Sequence, residues 1–91
     1  MTRTRKPNRH ELNELRRLVL EKLVMGRNWG MNYIAMANVP KGLPKEYPED
    51  WYLYEIDNLV RDGLLLVYKK ADPIVRLNIA RKAEIERLVG T

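Results

Sequence analysis

Residues 56–70 read IDNLVRDGLLLVYKK, and the hydrophobic period changes within them. Ile56, Leu59 and Val60 recur at three- and four-residue spacing, the period of one helix face. Gly63 follows, and glycine is the residue that most easily takes the left-handed turn at a helix end. From Leu64 to Lys70 the side chains suit a strand. Upstream, Pro48 fits a first helical turn, and Glu49 and Asp50 suit its positive end. With Leu53 on the same stripe and Tyr52 beside it, the spacing predicts a helix over 48–62. Downstream, Ala71-Asp72-Pro73 reads as a turn and Ile74 to Leu77 as a return strand. Leu65, Val67, Val75 and Leu77 are expected to share the hairpin's buried face. Asn78 then caps a last helix over 79–89, with Ile85, Leu88 and Val89 on its apolar side.

The N-terminal part supplies the other elements. Residues 1–7 are basic, lack apolar periodicity and read as an arm, leaving 8–91 as a single domain. Asn8 and Glu11 have capping-box spacing before Leu12, Leu15, Leu18, Val19, Leu23 and Val24, which predicts a helix over 9–25 stopped by Gly26. Residues 27–30 read as a turn, with Trp29 packed over the end of that helix. Tyr33 and Ile34 suit a short strand, and residues 34–39 suit a short second helix that Pro40 limits. Residues 40–45 form a breaker-rich turn. The fold expected is mainly α with a β-hairpin: a winged helix-turn-helix, ordered helix, short strand, helix, helix, hairpin, helix. The simpler alternative is a three-helix bundle with an added hairpin.

Composition narrows the function classes. A chain of 91 residues can bury one core but has little room for a deep catalytic cleft. Cys is absent, which excludes disulfides, cysteine nucleophiles and cysteine metal sites. The lone His10 has no second ligand in view and reads as a surface residue, and no glycine-rich phosphate loop is present. Neither an enzyme nor a cofactor is expected. Without a long apolar run or a secretory leader pattern, the expected location is the cytoplasm. The lack of Cys and Gln beside abundant Lys, Arg and Glu fits a heat-loving source.

The net charge of +5 is unevenly spread, with residues 1–30 at +5, 31–45 at +2, 46–63 at −5 and 64–91 at +3. Arg3, Arg5 and Lys6, with Arg9 beyond them, form an arm able to follow phosphates or enter a minor groove. Lys41 and Lys45 flank the turn before the third helix, where a DNA backbone passes in helix-turn-helix complexes. Lys69, Lys70 and Arg76 lie on the hairpin, which would be the wing. Each is equally a candidate for ordinary solvated charge. Arg16, Arg17 and Lys22 read mainly as surface charge on the first helix.

Three segments together carry a family resemblance: residues 38–45 (NVPKGLPK), residues 56–65 (IDNLVRDGLL) and residues 75–78 (VRLN). The chain resembles small archaeal winged-helix proteins over residues 33–89, and the resemblance implies a DNA-binding transcriptional regulator. The third helix departs from that pattern. Its expected outward residues are Asp50, Trp51, Tyr54, Glu55, Asn58 and Arg61, and its carboxylates outnumber Arg61. Asn58 and Arg61 are the side chains suited to reading base edges, whereas carboxylates are repelled by phosphate. Two functions are therefore expected to compete. One is a DNA-binding regulator, dimeric through its first or last helix, with double-stranded DNA as partner. The other is a protein-interaction module that uses Trp51 and Tyr54 on the acidic helix, provided these aromatics do not complete the core.

Overall fold

A computed structural model describes residues 6–69 and 71–90. Arg3, Arg5 and Lys70 lie outside the described residues. Helix α1 spans Arg9–Met25, and its start follows the local signal. The Asn8 side chain accepts from the Glu11 backbone N–H at 2.8 Å, and the Glu11 carboxylate accepts from the Asn8 N–H at 2.9 Å. Leu15, Val19, Leu20 and Leu23 form its buried stripe, Leu20 being an addition to the positions expected from spacing.

Strand β1 is the two-residue segment Ile34–Ala35, and it is followed by a 3-10 turn at Met36–Asn38. The expected second helix over 34–39 is therefore replaced by a strand and one tight turn. Two causes stand out. Ile34 and Ala35 pair with Val75 and Ile74, and the Met36 N–H continues that edge by donating to the Pro73 carbonyl at 2.9 Å. Pro40 and Pro44 also lack the N–H groups that a continuing helix would need. Carbonyls of this loop are also met from outside. The Lys22 ammonium donates to the carbonyl of Val39 at 2.8 Å, to that of Asn38 at 3.1 Å, and closely to that of Lys41. Burial lowers the pKa of this ammonium, and the three oxygens compensate its charge. Lys22 is thus an anchor for the loop rather than the surface charge expected.

Helix α2 spans Glu49–Arg61 and corresponds to the third helix expected from sequence. Gly63, at φ 81°, turns the chain out of it into β2, Leu65–Tyr68. Strand β3, Ile74–Leu77, returns antiparallel to β2 in the register Leu65 with Leu77 and Val67 with Val75. The sheet order is β1-β3-β2. Leu65, Val75 and Leu77 are buried as expected, but Val67 is 41% exposed: it lies on β2, an edge strand, whereas its partner Val75 lies on the central strand β3 and is fully buried. Trp29 is half-buried against the core at the end of α1, and its backbone bridges to Leu77.

Asn78 joins three parts of the chain. Its side chain accepts from the Ala80 N–H at 3.1 Å and donates to the Gly63 carbonyl at 2.8 Å, and its own N–H donates to the Leu64 carbonyl at 3.0 Å. The segment expected as one helix over 79–89 opens with a 3-10 turn, Ile79–Arg81, before α3 at Lys82–Val89. Ile85 and Val89 are buried, while Leu88 faces outward at 38% exposure. Among the described residues the architecture is mixed α/β, with three α-helices and a three-stranded antiparallel sheet that includes the hairpin. Among them, no helix is long and apolar enough to cross a membrane.

Lys22→Met keeps the stem and removes the ammonium, taking the side-chain donor from the carbonyls of residues 39 and 41 and leaving that of Asn38 with the Lys41 N–H alone. Urea unfolding should show a loss of about 1–3 kcal/mol. Hydrogen exchange should rise in residues 36–45 ahead of α1.

Candidate nucleic-acid interface

The face that α2 offers is set by a polar clamp to α1. Glu55, expected to point outward, is buried at 1% exposure. Its Oε2 accepts from Arg16 Nε at 2.5 Å, and its Oε1 accepts from Asn58 Nδ2 at 3.1 Å. Arg16 Nη2 also reaches Asp62 at 2.7 Å. Burial opposes the charge on Arg16, but the bonds to the two carboxylates outweigh it and raise its pKa. Arg16 is thus an interhelical tie, contrary to its expected role as surface charge.

Trp51, expected on the outward side of α2, turns inward as well. It is 7% exposed and packs in the core, with its ring stacked on Tyr47 at 5.9 Å. Tyr47 also meets Tyr52 edge-on at 6.2 Å, and the Tyr52 hydroxyl donates to the Pro44 carbonyl at 2.6 Å. A hydrogen bond to Glu14 and burial, with nearby Glu46 and Glu11, push the Tyr47 phenol up to about 12. These aromatics hold the breaker-rich loop against α1 and α2. In a chain without Phe, the core takes Trp51 and Tyr52 as its aromatic filling. Of the two residues expected to make a protein contact, only Tyr54 is exposed, at 44%.

With Trp51 and Glu55 turned inward, α2 exposes Glu49, Asp50, Tyr54, Asp57 and Arg61. Asn58 is half-buried, and its amide is engaged by Glu55. It lines a depression of about 220 Å³ with Arg9, Asn13 and Arg16, between α1 and α2. The pair expected to read bases, Asn58 and Arg61, thus divides into an engaged amide and an exposed guanidinium.

The loop brings Lys41 and Lys45 to one cleft of about 310 Å³, whose floor includes Leu43, Tyr47 and Tyr52. Both lysines are exposed. Lys6 and Lys69 are exposed as well.

The hairpin gathers Arg76 with two tyrosines that sequence reasoning left as plain strand residues. Tyr33 and Tyr68 meet edge-to-face, with centroids 5.2 Å apart. The Arg76 guanidinium carbon stands 5.6 Å from the Tyr33 centroid and 5.7 Å from that of Tyr68. Hydrogen bonding and charge from Arg76, with a further bond from Tyr33, lower the Tyr68 pKa. The hydrogen bond to Tyr68 likewise raises that of Arg76, against burial. A usable signal lay in the register. Arg76 is paired with Leu66 and Tyr68 with Ile74, so both side chains occupy the pleat face opposite buried Val75.

Among the described residues, no group of three or more His, Cys, Asp or Glu side chains is arranged to hold a metal ion. Comparison with family models, curated proteins and solved structures finds no match.

Arg16→Met leaves the buried Glu55 carboxylate without its cation and should cost about 3–5 kcal/mol in urea unfolding. Adding Glu55→Met should recover most of that loss. In an alkaline titration followed by phenolate absorbance, Tyr68→Phe should remove the earliest tyrosine and Tyr47→Phe the one near 12. The raised Tyr47 pKa gives stability that is full below the unfolded value of about 10 and lost as pH rises toward about 12. Tyr47→Phe should flatten the stability profile in that window.

Proposed function

We propose that this chain is a winged-helix DNA-binding domain whose affinity comes from the loop lysines and the hairpin, with α2 contributing little base reading. The strand order β1-β3-β2, with a hairpin directly after α2, supports the winged form, in which the 3-10 turn stands where a second helix is usual. The observation that carries the functional reading is Arg76. It sits on the hairpin against two aromatic rings that touch each other, and makes no ion pair with a carboxylate among the described residues. A cation held in place but not neutralised is suited to phosphate. Lys41, Lys45 and Lys69 add exposed charge on the loop and hairpin.

The acidic face of α2 supports this division of labour. Glu49, Asp50 and Asp57 on the exposed side would be repelled by a phosphate-lined groove. In this reading the helix stays shallow, and Arg61 at its last turn is its one cationic contact. Such binding is largely independent of sequence, since phosphate contacts position a protein without specifying bases. A regulator built this way would gain selectivity from a second copy or a partner.

A second reading rests on Tyr54, which is exposed on the same helix face as Asp50 and Asp57. That surface suits a basic protein partner.

The test is titration of labelled duplex DNA at several salt concentrations. Affinity should fall with salt at a slope of about −0.9 for each phosphate neutralised. The double variant Lys41→Ala, Lys45→Ala should weaken binding and reduce the slope by about 2. Tyr54→Ala should leave it unchanged. A duplex affinity that ignores salt and both lysines would sink the DNA reading. Loss of a protein partner with Tyr54→Ala alone would favour the second.

A further inference from the structure

The outer face of the hairpin carries chemistry that phosphate contact does not require. Leu66, Tyr68, Ile74 and Arg76 lie on the pleat face opposite the core, and Tyr33 reaches the same face just before β1. Tyr68 is 46% exposed. Arg76 Nη2 lies 3.5 Å from the Tyr68 hydroxyl, and its Nε is buried with no acceptor. The guanidinium therefore rests against two rings with one long hydrogen bond to Tyr68, and no carboxylate neutralises it among the described residues. Lys69 follows directly, exposed and in the left-handed conformation at φ 69°.

We propose that this face is a stacking platform for an unpaired nucleobase, with the base against the Tyr68 ring and the Arg76 guanidinium and a flanking phosphate met by Lys69. The inference rests on the nucleic-acid reading above and adds to it a site for a single-stranded segment. A paired base shows only its edges to a groove, and its flat faces are covered by its neighbours. Tyrosine rings and a guanidinium plane instead match the flat face that an unpaired base exposes. Charge complementarity favours the same occupant. Arg76 and Lys69 present two cations, and Asp72 in the hairpin turn makes no ion pair with Arg76. Edge reading is disfavoured at α2, where the exposed groups are mainly carboxylates. A platform of this kind tolerates any base, since all four have a π-face.

The experiment measures fluorescence anisotropy of the full chain with one short mixed-sequence DNA oligonucleotide, single-stranded and as its duplex. Tyr68→Ala should weaken single-strand binding about 5- to 100-fold and duplex binding less than about two-fold. Tyr68→Phe keeps the ring and should stay within about two-fold of the parent on both. Tyr68→Leu keeps apolar bulk without a π-face and should behave like Tyr68→Ala, which separates stacking from hairpin packing. Thermal melting of each variant checks that the hairpin is intact. In nuclear magnetic resonance spectra, the Tyr68 ring protons should move upfield when the single strand is added. Equal losses on single strand and duplex, or no loss with Tyr68→Ala and Tyr68→Leu, would overturn the stacking platform. The DNA reading itself would survive that result if duplex affinity still fell with salt and with the loop lysines. Absence of binding to either form of DNA would overturn both.

Discussion

Glu55 is a carboxylate shut away from water, and the orientation of α2 depends on the cation that meets it. A lone buried carboxylate is costly, so Arg16 has to cross from α1 to neutralise it. Once that pair forms, the rotation of α2 about its axis is restricted. Trp51, Tyr52, Ile56 and Leu59 share the inner side, and Asp50, Tyr54, Asp57 and Arg61 are left for the surface. The acidic character of the outer face therefore follows from a contact on the inner one. Asp62 takes the second arm of Arg16, extending the tie to the turn that leads into the hairpin.

The loop between β1 and α2 shows a different solution to the same problem of unsatisfied polar groups. A helix would have paired its own carbonyls, but Pro40 and Pro44 interrupt that course and leave the carbonyls of Val39 and Lys41 to find other donors. Lys22 supplies an external donor, and the aromatic cluster of Tyr47, Trp51 and Tyr52 supplies apolar contact. The segment keeps a defined course with only a three-residue 3-10 turn. Lys41 and Lys45 are presented from this loop, so their placement depends on a side chain of α1.

The elements governed by neighbouring residues were legible in the sequence. The Asn8–Glu11 box marks the start of α1, and the Gly63 turn marks where α2 gives way to β2. The Ala71-Asp72-Pro73 signal marks the hairpin. What escaped local reading depends on distant partners. A helical wheel placed Glu55 and Trp51 outside, and the cation that neutralises the inward carboxylate, Arg16, is 39 residues away from Glu55. The helix expected over 34–39 lost to strand pairing with β3 and to an ammonium 17 residues from Val39. Val67 followed the right alternation but lies on the edge strand β2, which alternation alone does not reveal. The Tyr33, Tyr68 and Arg76 cluster needed the strand register, which joins residues from two separate segments.

Lys22 has one more property. Its ammonium addresses main-chain oxygens alone, and every residue type carries those. The anchor is therefore indifferent to the identity of the exposed side chains at 38 and 41, while Val39 is kept by the core. Charge on this loop is free to drift over evolutionary time without loss of shape, so long as the path of the chain and the lysine beneath it are kept. Structure and surface chemistry are uncoupled here, and a family of such proteins would change its ligand preference at the loop more readily than along α2, where inner and outer faces are bound to one another.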